Sequence, residues 1–313
     1  MAGAEARGIA RAQVPALARS EVLVAAVVAW FDAHRRDLPW RARDRTPWGV
    51  LVSEVMLQQT PVARVVPAWE AWMARWPQPE ALAADQPGEA VRMWGRLGYP
   101  RRALSLHAAA AAIVEQHGGV VPQDPLDLRA LPGVGEYTAS AVRAFAFGRR
   151  CVVLDTNVRR VLERALGGNE HPRPSLTVGE RARAEALVPA EDGRAAVWSV
   201  AVMELGALVC TASNPSCGAC PLAADCAWLA AGRPPYDGPS RRVQRFAGTD
   251  RQVRGRLMAV LRDSPAPVPR PALEVVWTEP VQRERALDGL VADGLVEPLP
   301  DGRYRLPTSR PVG

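Results

Sequence analysis

Apolar residues recur at three- and four-residue spacing along most of the chain from Glu21 to about Leu229, and almost nowhere alternate with period two. The spacing predicts helices over 21–34, 48–59, 63–75, 103–117, 136–147, 157–166, 179–187 and 194–208, joined by short connections bearing Pro and Gly. The expected class for this part is all-α. An Ala- and Arg-rich segment, 1–20, precedes the first helix and reads as a disordered N-terminus, and a Pro-, Gly- and Arg-rich stretch, 231–249, reads as a linker. Beyond it the pattern changes. Val253, Leu257, Val260 and Leu261 make one helical face, and Leu287, Leu290 and Val291 make another. Val296–Leu306 centres on Asp301-Gly302, a strong hairpin signal. Helices followed by a hairpin predict a small winged-helix-like α+β domain over 250–313. A domain that packs without touching DNA is the alternative.

With 313 residues the chain has room for two modest domains. Its 48% hydrophobic and 23% charged residues exclude a disordered or fibrous protein. No apolar run is long enough to span a membrane and no secretory signal precedes Glu21, so a cytoplasmic protein is expected. The net charge of +6 is compatible with a polyanionic partner without requiring one. All 39 basic residues are arginine, so no side-chain amine can form a Schiff base.

Cys210, Cys217, Cys220 and Cys226 fall within 17 residues, a density that in a cytosolic chain means metal rather than disulfide. Structural zinc usually takes two Cys-x2-Cys pairs, and here there is one, flanked by longer loops. Four thiolates around a [4Fe–4S] cluster fit better, with zinc left open. Cys151 has no such company and reads as a small buried hydrophobe. Leu131-Pro132-Gly133-Val134-Gly135 lies between two helical segments; two glycines around one apolar residue allow a tight hairpin that presents backbone N–H groups beside a helix N-terminus. Such a hairpin suits a phosphate, although a plain helix–helix turn has the same composition.

Together with Leu38-Pro39-Trp40-Arg41, the octapeptide Ser53–Thr60, Leu97-Gly98-Tyr99 and Asp155-Thr156-Asn157-Val158, these motifs resemble the helix-hairpin-helix DNA glycosylases that carry a [4Fe–4S] loop, and among them the MutY-type adenine DNA glycosylases. The resemblance runs from about Leu38 to Cys226. It implies two helical lobes with DNA between them: a six-helix lobe of about 48–154, and a cluster lobe from 21–47 and 155–230. It also implies a monomer that acts on double-stranded DNA containing adenine mispaired with 8-oxoguanine or guanine.

By this resemblance Glu54 protonates the adenine and Asp155 stabilises the sugar cation, with Tyr137 and Asn157 in support. Gln59, Thr60, Leu97, Gly98 and Tyr99 meet the duplex, as does the hairpin of Gly133, Val134 and Gly135. Trp40, Arg41 and Glu204 line the adenine pocket, and the four cysteines hold the cluster. The residues themselves agree with the two acids. Glu54 sits in a helix apolar nearly all round, which predicts a desolvated carboxyl with a raised pKa. Asp155 precedes a helix, where N–H groups and the dipole favour the carboxylate. A buried ion pair to an arginine and a simple helix cap are the ordinary alternatives for the two.

The chain departs from the resemblance in three places. Members of the family commonly carry a larger C-terminal nudix-like domain, whereas 87 residues follow Cys226 here and their pattern reads as a winged helix. Pro100 follows Tyr99 where another aromatic is frequent, and Glu204 stands where Asp is also found. Tyr137 occurs in the thymine-releasing branch too, so a G·T glycosylase stays as an alternative. So does a non-catalytic iron–sulfur protein that binds DNA through its winged domain.

Overall fold

The structure is a computed structural model that describes residues 16–239 and 246–309. Most of the segment expected to be disordered, and part of the expected linker, lie outside the described residues. The described chain is predominantly helical with one small sheet near its C-terminal end, and among the described residues no helix is long and apolar enough to cross a membrane.

Two compact units divide the chain. One takes the described residues up to Asp37 and from Ser140 to 239; the other takes Leu38–Ala139 and the described residues from 246 onward. One boundary between the units falls at 37/38 and another inside helix Glu136–Phe147. The first has a packing cause: Leu38 and Trp40 are buried, and the turn Pro39–Arg41 lies against helix Pro47–Leu57.

In the first unit, Leu23, Val24, Val27 and Phe31 place one face of helix Ala16–His34 in the core. Val158, Val161 and Leu162 of helix Thr156–Leu162 join them, as do Trp198, Val202 and Leu205 of helix Asp192–Leu208.

In the second unit, helix Pro47–Leu57 is buried from Trp48 to Met56. The Thr46 hydroxyl starts it by accepting the Gly49 N–H at 3.0 Å, and Pro47 occupies its first turn. Helices Val62–Arg75 and Arg101–His117 pack around it. Trp72 meets Trp76 and Trp94 edge-on, with centroids 4.6 and 5.8 Å away. Buried Ala109–Ala112 let the long helix approach its neighbours closely.

Among the helices that escaped the periodicity are Pro79–Ala83, Pro87–Trp94 and Pro125–Ala130. Each has proline in its first turn, where the missing N–H costs nothing; residues that read as breaks between helices are the starts of helices.

The C-terminal segment has the expected winged-helix order. Helix Asp250–Asp263, β1 (Val268–Pro269), helices Arg270–Glu274 and Pro280–Ala292, β2 (Glu297–Pro298) and β3 (Arg303–Arg305) follow one another. The antiparallel sheet is ordered β1-β3-β2, and Gly302, at φ +80°, makes the turn before β3. This segment does not stand apart from the second unit. Gly88 donates its N–H to the Pro307 carbonyl at 2.7 Å. Arg92 donates to the carbonyls of Arg262 and Ser264, and Arg101 pairs with Asp293 at 3.3 Å.

Gly88 is the tightest point of this docking, since a Cβ there would meet the Pro307 oxygen at 2.7 Å and Leu306 Cβ at 2.8 Å. Alanine gains roughly 1 kcal/mol of helix propensity over glycine, whereas overpacking costs about 1–3 kcal/mol. The clash is with backbone, so the cost wins. Gly88→Ala should lower the midpoint of thermal unfolding; a higher midpoint would show that the C-terminal segment is not held on this face.

Candidate active site

In the second unit, the all-round burial of helix Pro47–Leu57 leaves Glu54 only 5% exposed. Two residues beyond the hairpin, in the first turn of helix Glu136–Phe147, Tyr137 donates its hydroxyl to Glu54 Oε2 at 3.1 Å. The hairpin has the shape its glycines suggest. Gly133 lies at φ +76°, and a Cβ there would strike Ser105 Cβ at 2.7 Å. Val134 is tucked into the core with Leu131, while Gly133 and Gly135 stay exposed just before helix Glu136–Phe147.

Beside the Glu54 helix, two loops carry the expected duplex-contacting residues: Gln59, Gly98 and Tyr99 are exposed, and Thr60 and Leu97 are buried. Of the four non-glycine residues with positive φ among those described, two are Gln59, at +55°, and Tyr99, at +48°. Such strain persists only where the surroundings enforce it. The enforcing group is Arg102, which sequence reasoning missed. Its guanidinium donates to the carbonyls of Val55, Met56 and Gln58 at 2.8, 3.2 and 2.6 Å, to the Gly98 carbonyl at 3.0 Å and to the Thr60 hydroxyl at 3.1 Å. Thr60 passes the link on to the Leu97 carbonyl at 3.2 Å. One side chain thus ends the Glu54 helix and ties the Gln59 loop to the Tyr99 loop. Burial lowers Arg102 to about 10, so it stays charged at neutral pH.

Trp40 is buried edge-on to Trp69, centroids 5.9 Å apart, and Arg41 shares its turn. Both adjoin the Glu54 helix through that turn.

In the first unit, Asp155 caps helix Thr156–Leu162. Oδ1 accepts the Val158 N–H at 2.6 Å and Oδ2 accepts Asn157 Nδ2 at 2.7 Å. Asn157 is held in turn by Arg160, which donates to Asn157 Oδ1 at 2.8 Å and to the carbonyls of Gly206 and Cys210, each at 2.7 Å. Gly206 is obligatory here, because a Cβ would meet Asn157 Cβ at 2.7 Å. The expectation of an easily ionised Asp155 does not hold. Burial is the largest influence and raises its pKa; the Val158 and Asn157 bonds and Arg160 offset only part of that. Glu204, expected at the adenine pocket, is wholly buried, with Oε1 and Oε2 bonded to the Arg36 guanidinium at 2.8 and 2.7 Å. It anchors the chain after the first helix.

Two of the four cysteines, Cys210 and Cys226, touch Arg164, which lies in a π-helical turn, Glu163–Gly167. Arg164 Nη1 is 3.4 Å from Cys210 Sγ, its carbonyl is 3.4 Å from Cys226 Sγ, and its guanidinium stacks over Trp228 at 4.6 Å. Among the described residues no three ligating side chains converge as they would on one metal ion. The thiols are nonetheless close enough to feel each other: burial, with the other three cysteines adding to it, pushes Cys220 up to about 11, and burial also raises Cys226. Thiols in that state become thiolates only with positive charge among them, which an iron–sulfur cluster supplies. The donor set therefore fits such a cluster.

The direction of the Asp155 shift has a measurable sign. Its pKa is higher folded than unfolded, so its contribution to stability is greatest below the ordinary carboxylate value and declines as pH rises through the raised one. Asp155→Asn does not titrate. From pH 4 to pH 7 the difference in unfolding midpoint should therefore move steadily in the variant's favour. A difference moving toward the parent protein would mean an Asp155 that ionises easily.

Comparison with known proteins agrees with this geometry. Residues 52–184 match the HhH-GPD superfamily of base excision DNA repair proteins. Residues 210–226, from the first clustered cysteine to the last, match the iron-sulfur binding domain of endonuclease III. The chain is 53% identical over 282 residues to the adenine DNA glycosylase of Mycolicibacterium smegmatis, covering 90% of this chain and 94% of that protein. It is 52% identical to that of Mycobacterium tuberculosis, covering 90% and 92%. Coverage of this extent reaches well into the C-terminal unit. A solved structure of a thermostable thymine-DNA glycosylase, 28% identical, superposes with a TM-score of 0.61 over 68% of this chain and 97% of its own. The chain thus belongs to the HhH-GPD superfamily of base excision DNA repair proteins and carries the iron-sulfur domain of endonuclease III.

Proposed function

We propose that this protein is a monofunctional DNA glycosylase that hydrolyses the N-glycosidic bond of adenine mispaired with 8-oxoguanine or guanine. The observation that carries the reading is the buried Glu54 carboxyl with the Tyr137 hydroxyl on its Oε2 at 3.1 Å. High identity to adenine DNA glycosylases along nearly the whole chain supports the choice of base.

Burial disfavours the charged form of a carboxyl, so a group placed like Glu54 is suited to carry a proton to a leaving base. In the proposed reaction Glu54 gives its proton to a ring nitrogen of adenine. The bond from C1′ to the base breaks, and the electron pair leaves with the adenine. Tyr137, bonded to the same carboxyl, fixes its orientation. Asp155, with Asn157 holding one oxygen, stands as carboxylate toward the positive charge that develops on the sugar. A carboxylate that burial penalises gains more from that charge than a solvated one does. Water adds to C1′ and gives its proton to the Glu54 carboxylate left by the first step, which restores the acid. Because the chain has no lysine, no side-chain amine intercepts the sugar and the abasic site is left intact.

The adenine must leave the duplex to reach buried acids. Gln59 and Tyr99 on their strained loops, with Thr60, Leu97 and Gly98 behind them, are the residues we assign to the opened stack. The backbone of Gly133, Val134 and Gly135 is assigned to phosphate. Trp40 and Arg41 are placed beside the base. Glu204 supports the fold through Arg36. Cys210, Cys217, Cys220 and Cys226 would hold the [4Fe–4S] cluster, which cross-links their loop; no step of the reaction is assigned to it. Its partner is double-stranded DNA, met by a monomer in the cytoplasm.

Single-turnover assays on labelled duplexes with A opposite 8-oxoguanine, A opposite G, T opposite G and A opposite T, quenched with and without hot alkali, test this. Strand breaks should arise only at adenine mispairs and only after alkali. Glu54→Gln should reduce the rate by about 10²–10⁴-fold, the usual worth of a general acid. Release of thymine would assign the protein to G·T mismatches, and release of nothing from any duplex would make it a DNA-binding protein without chemistry.

A further inference from the structure

We infer that Arg251, in the C-terminal unit, is a positioning residue for Tyr99, and that this unit acts on DNA through the Tyr99 ring rather than through its own winged helix. The inference rests on the proposed reading of Tyr99 as a side chain that enters the duplex.

Tyr99 is 50% exposed and lies within cation–π distance of two guanidinium groups. Arg102 is 5.5 Å from the ring centroid and Arg251 is 5.8 Å from it. The two have different origins. Arg102 belongs to the helix that follows Tyr99 and is locked by the backbone of the loops it joins. Arg251 comes from the first turn of helix Asp250–Asp263, about 150 residues further along the sequence. Its approach is fixed by ion pairs alongside. Asp293 pairs with Arg101, two residues after Tyr99, and with Arg254, one turn beyond Arg251. The docked unit therefore carries a guanidinium to the one large exposed aromatic of the Tyr99 loop.

The winged helix itself lacks what a DNA reader needs. Binding to phosphates depends on a surplus of positive charge, yet residues 250–309 contain nine arginines and nine acids. Arg283, on the helix that would enter a groove, is turned inward to the carbonyls of Glu274 and Trp277. Arg285 pairs with Asp250 at 2.8 Å, and Arg303 and Arg305 of the hairpin pair with Asp301 and Glu297. The basic side chains that a groove or a backbone would call on are held by partners in the same unit.

An exposed cation–π contact shifts an equilibrium by about two- to fivefold, and that is the effect to look for. The full-length protein, silenced by Glu54→Gln, is bound to a duplex with 2-aminopurine beside the adenine of an A·G mispair, so that fluorescence reports opening of the stack. Adding Arg251→Ala should lower the opening equilibrium two- to fivefold while affinity for a matched duplex changes by less than twofold. With Tyr99→Ala already present, Arg251→Ala should add nothing. Asp293→Ala, which removes the ion pairs that fix the approach of Arg251, should lower opening in the same direction as Arg251→Ala and by no larger a factor. With Glu54 restored, single-turnover excision should fall in Arg251→Ala by the same factor as opening.

Three results overturn the inference: no change in opening on Arg251→Ala, the same loss with or without Tyr99, or a tenfold loss of affinity for matched DNA, which would make Arg251 a phosphate contact. If Tyr99→Ala leaves opening unaltered, the reading of Tyr99 fails and this inference with it. If the unmodified protein releases no base, the proposed function fails, and the fluorescence series alone decides the coupling of Arg251 to Tyr99.

Discussion

A guanidinium group buried among backbone carbonyls is the device on which the candidate residues of each unit depend. In one unit Arg102 gathers the end of the Glu54 helix, the Gln59 loop and the Tyr99 loop. In the other, Arg160 ties Asn157, and so Asp155, to the carbonyls of Gly206 and Cys210, while Arg164 bonds to the carbonyls of Glu170 and Thr211 and to the cluster loop. Irregular backbone leaves carbonyls without helical or sheet partners, and each one buried without a bond costs about 1–3 kcal/mol. A planar fork with five donors satisfies several at once, as an ammonium on a flexible stem does not. A chain whose basic residues are all arginine therefore assembles functional loops with the same group that other proteins reserve for phosphate.

This device explains how far the sequence could be read. The octapeptide around Glu54, the Gly133-Val134-Gly135 hairpin and the spacing of the cysteines are local signals, set by residues a few positions apart; the structure has the shapes that the first two suggest, and the third matches the iron-sulfur binding domain of endonuclease III. Arg102 gave no such signal. It is one arginine among 39, and its importance lies in five acceptors drawn from two loops some forty residues apart. The same limit applies to Glu204: its spacing identified a helix, and only folding disclosed Arg36 across 168 residues of chain.

Asp155 shows a different limit. Its position before a helix correctly indicated a cap, and a cap alone favours the carboxylate. How deeply the cap is enclosed is a tertiary property, and here desolvation outweighs the hydrogen bonds that the local sequence provides. The short helices beginning at Pro79, Pro87 and Pro125 failed to register for the opposite reason: the local signal was present, but proline marks a stop and a start with the same letter. The C-terminal unit was legible in its order of elements and not in its attachment, which depends on Gly88 and Arg92 far upstream.

The left-handed backbone at Gln59 and Tyr99 makes these loops places of local frustration in an otherwise self-consistent fold. Glycine would occupy either position without steric strain, about 1–3 kcal/mol at a non-glycine residue, but it would also delete the side chain the loop displays. Selection for thermal stability alone would drift toward glycine there. Any program of stabilisation guided by backbone geometry would rank these two positions first and, under the proposed function, would remove the side chains assigned to DNA by following its own advice.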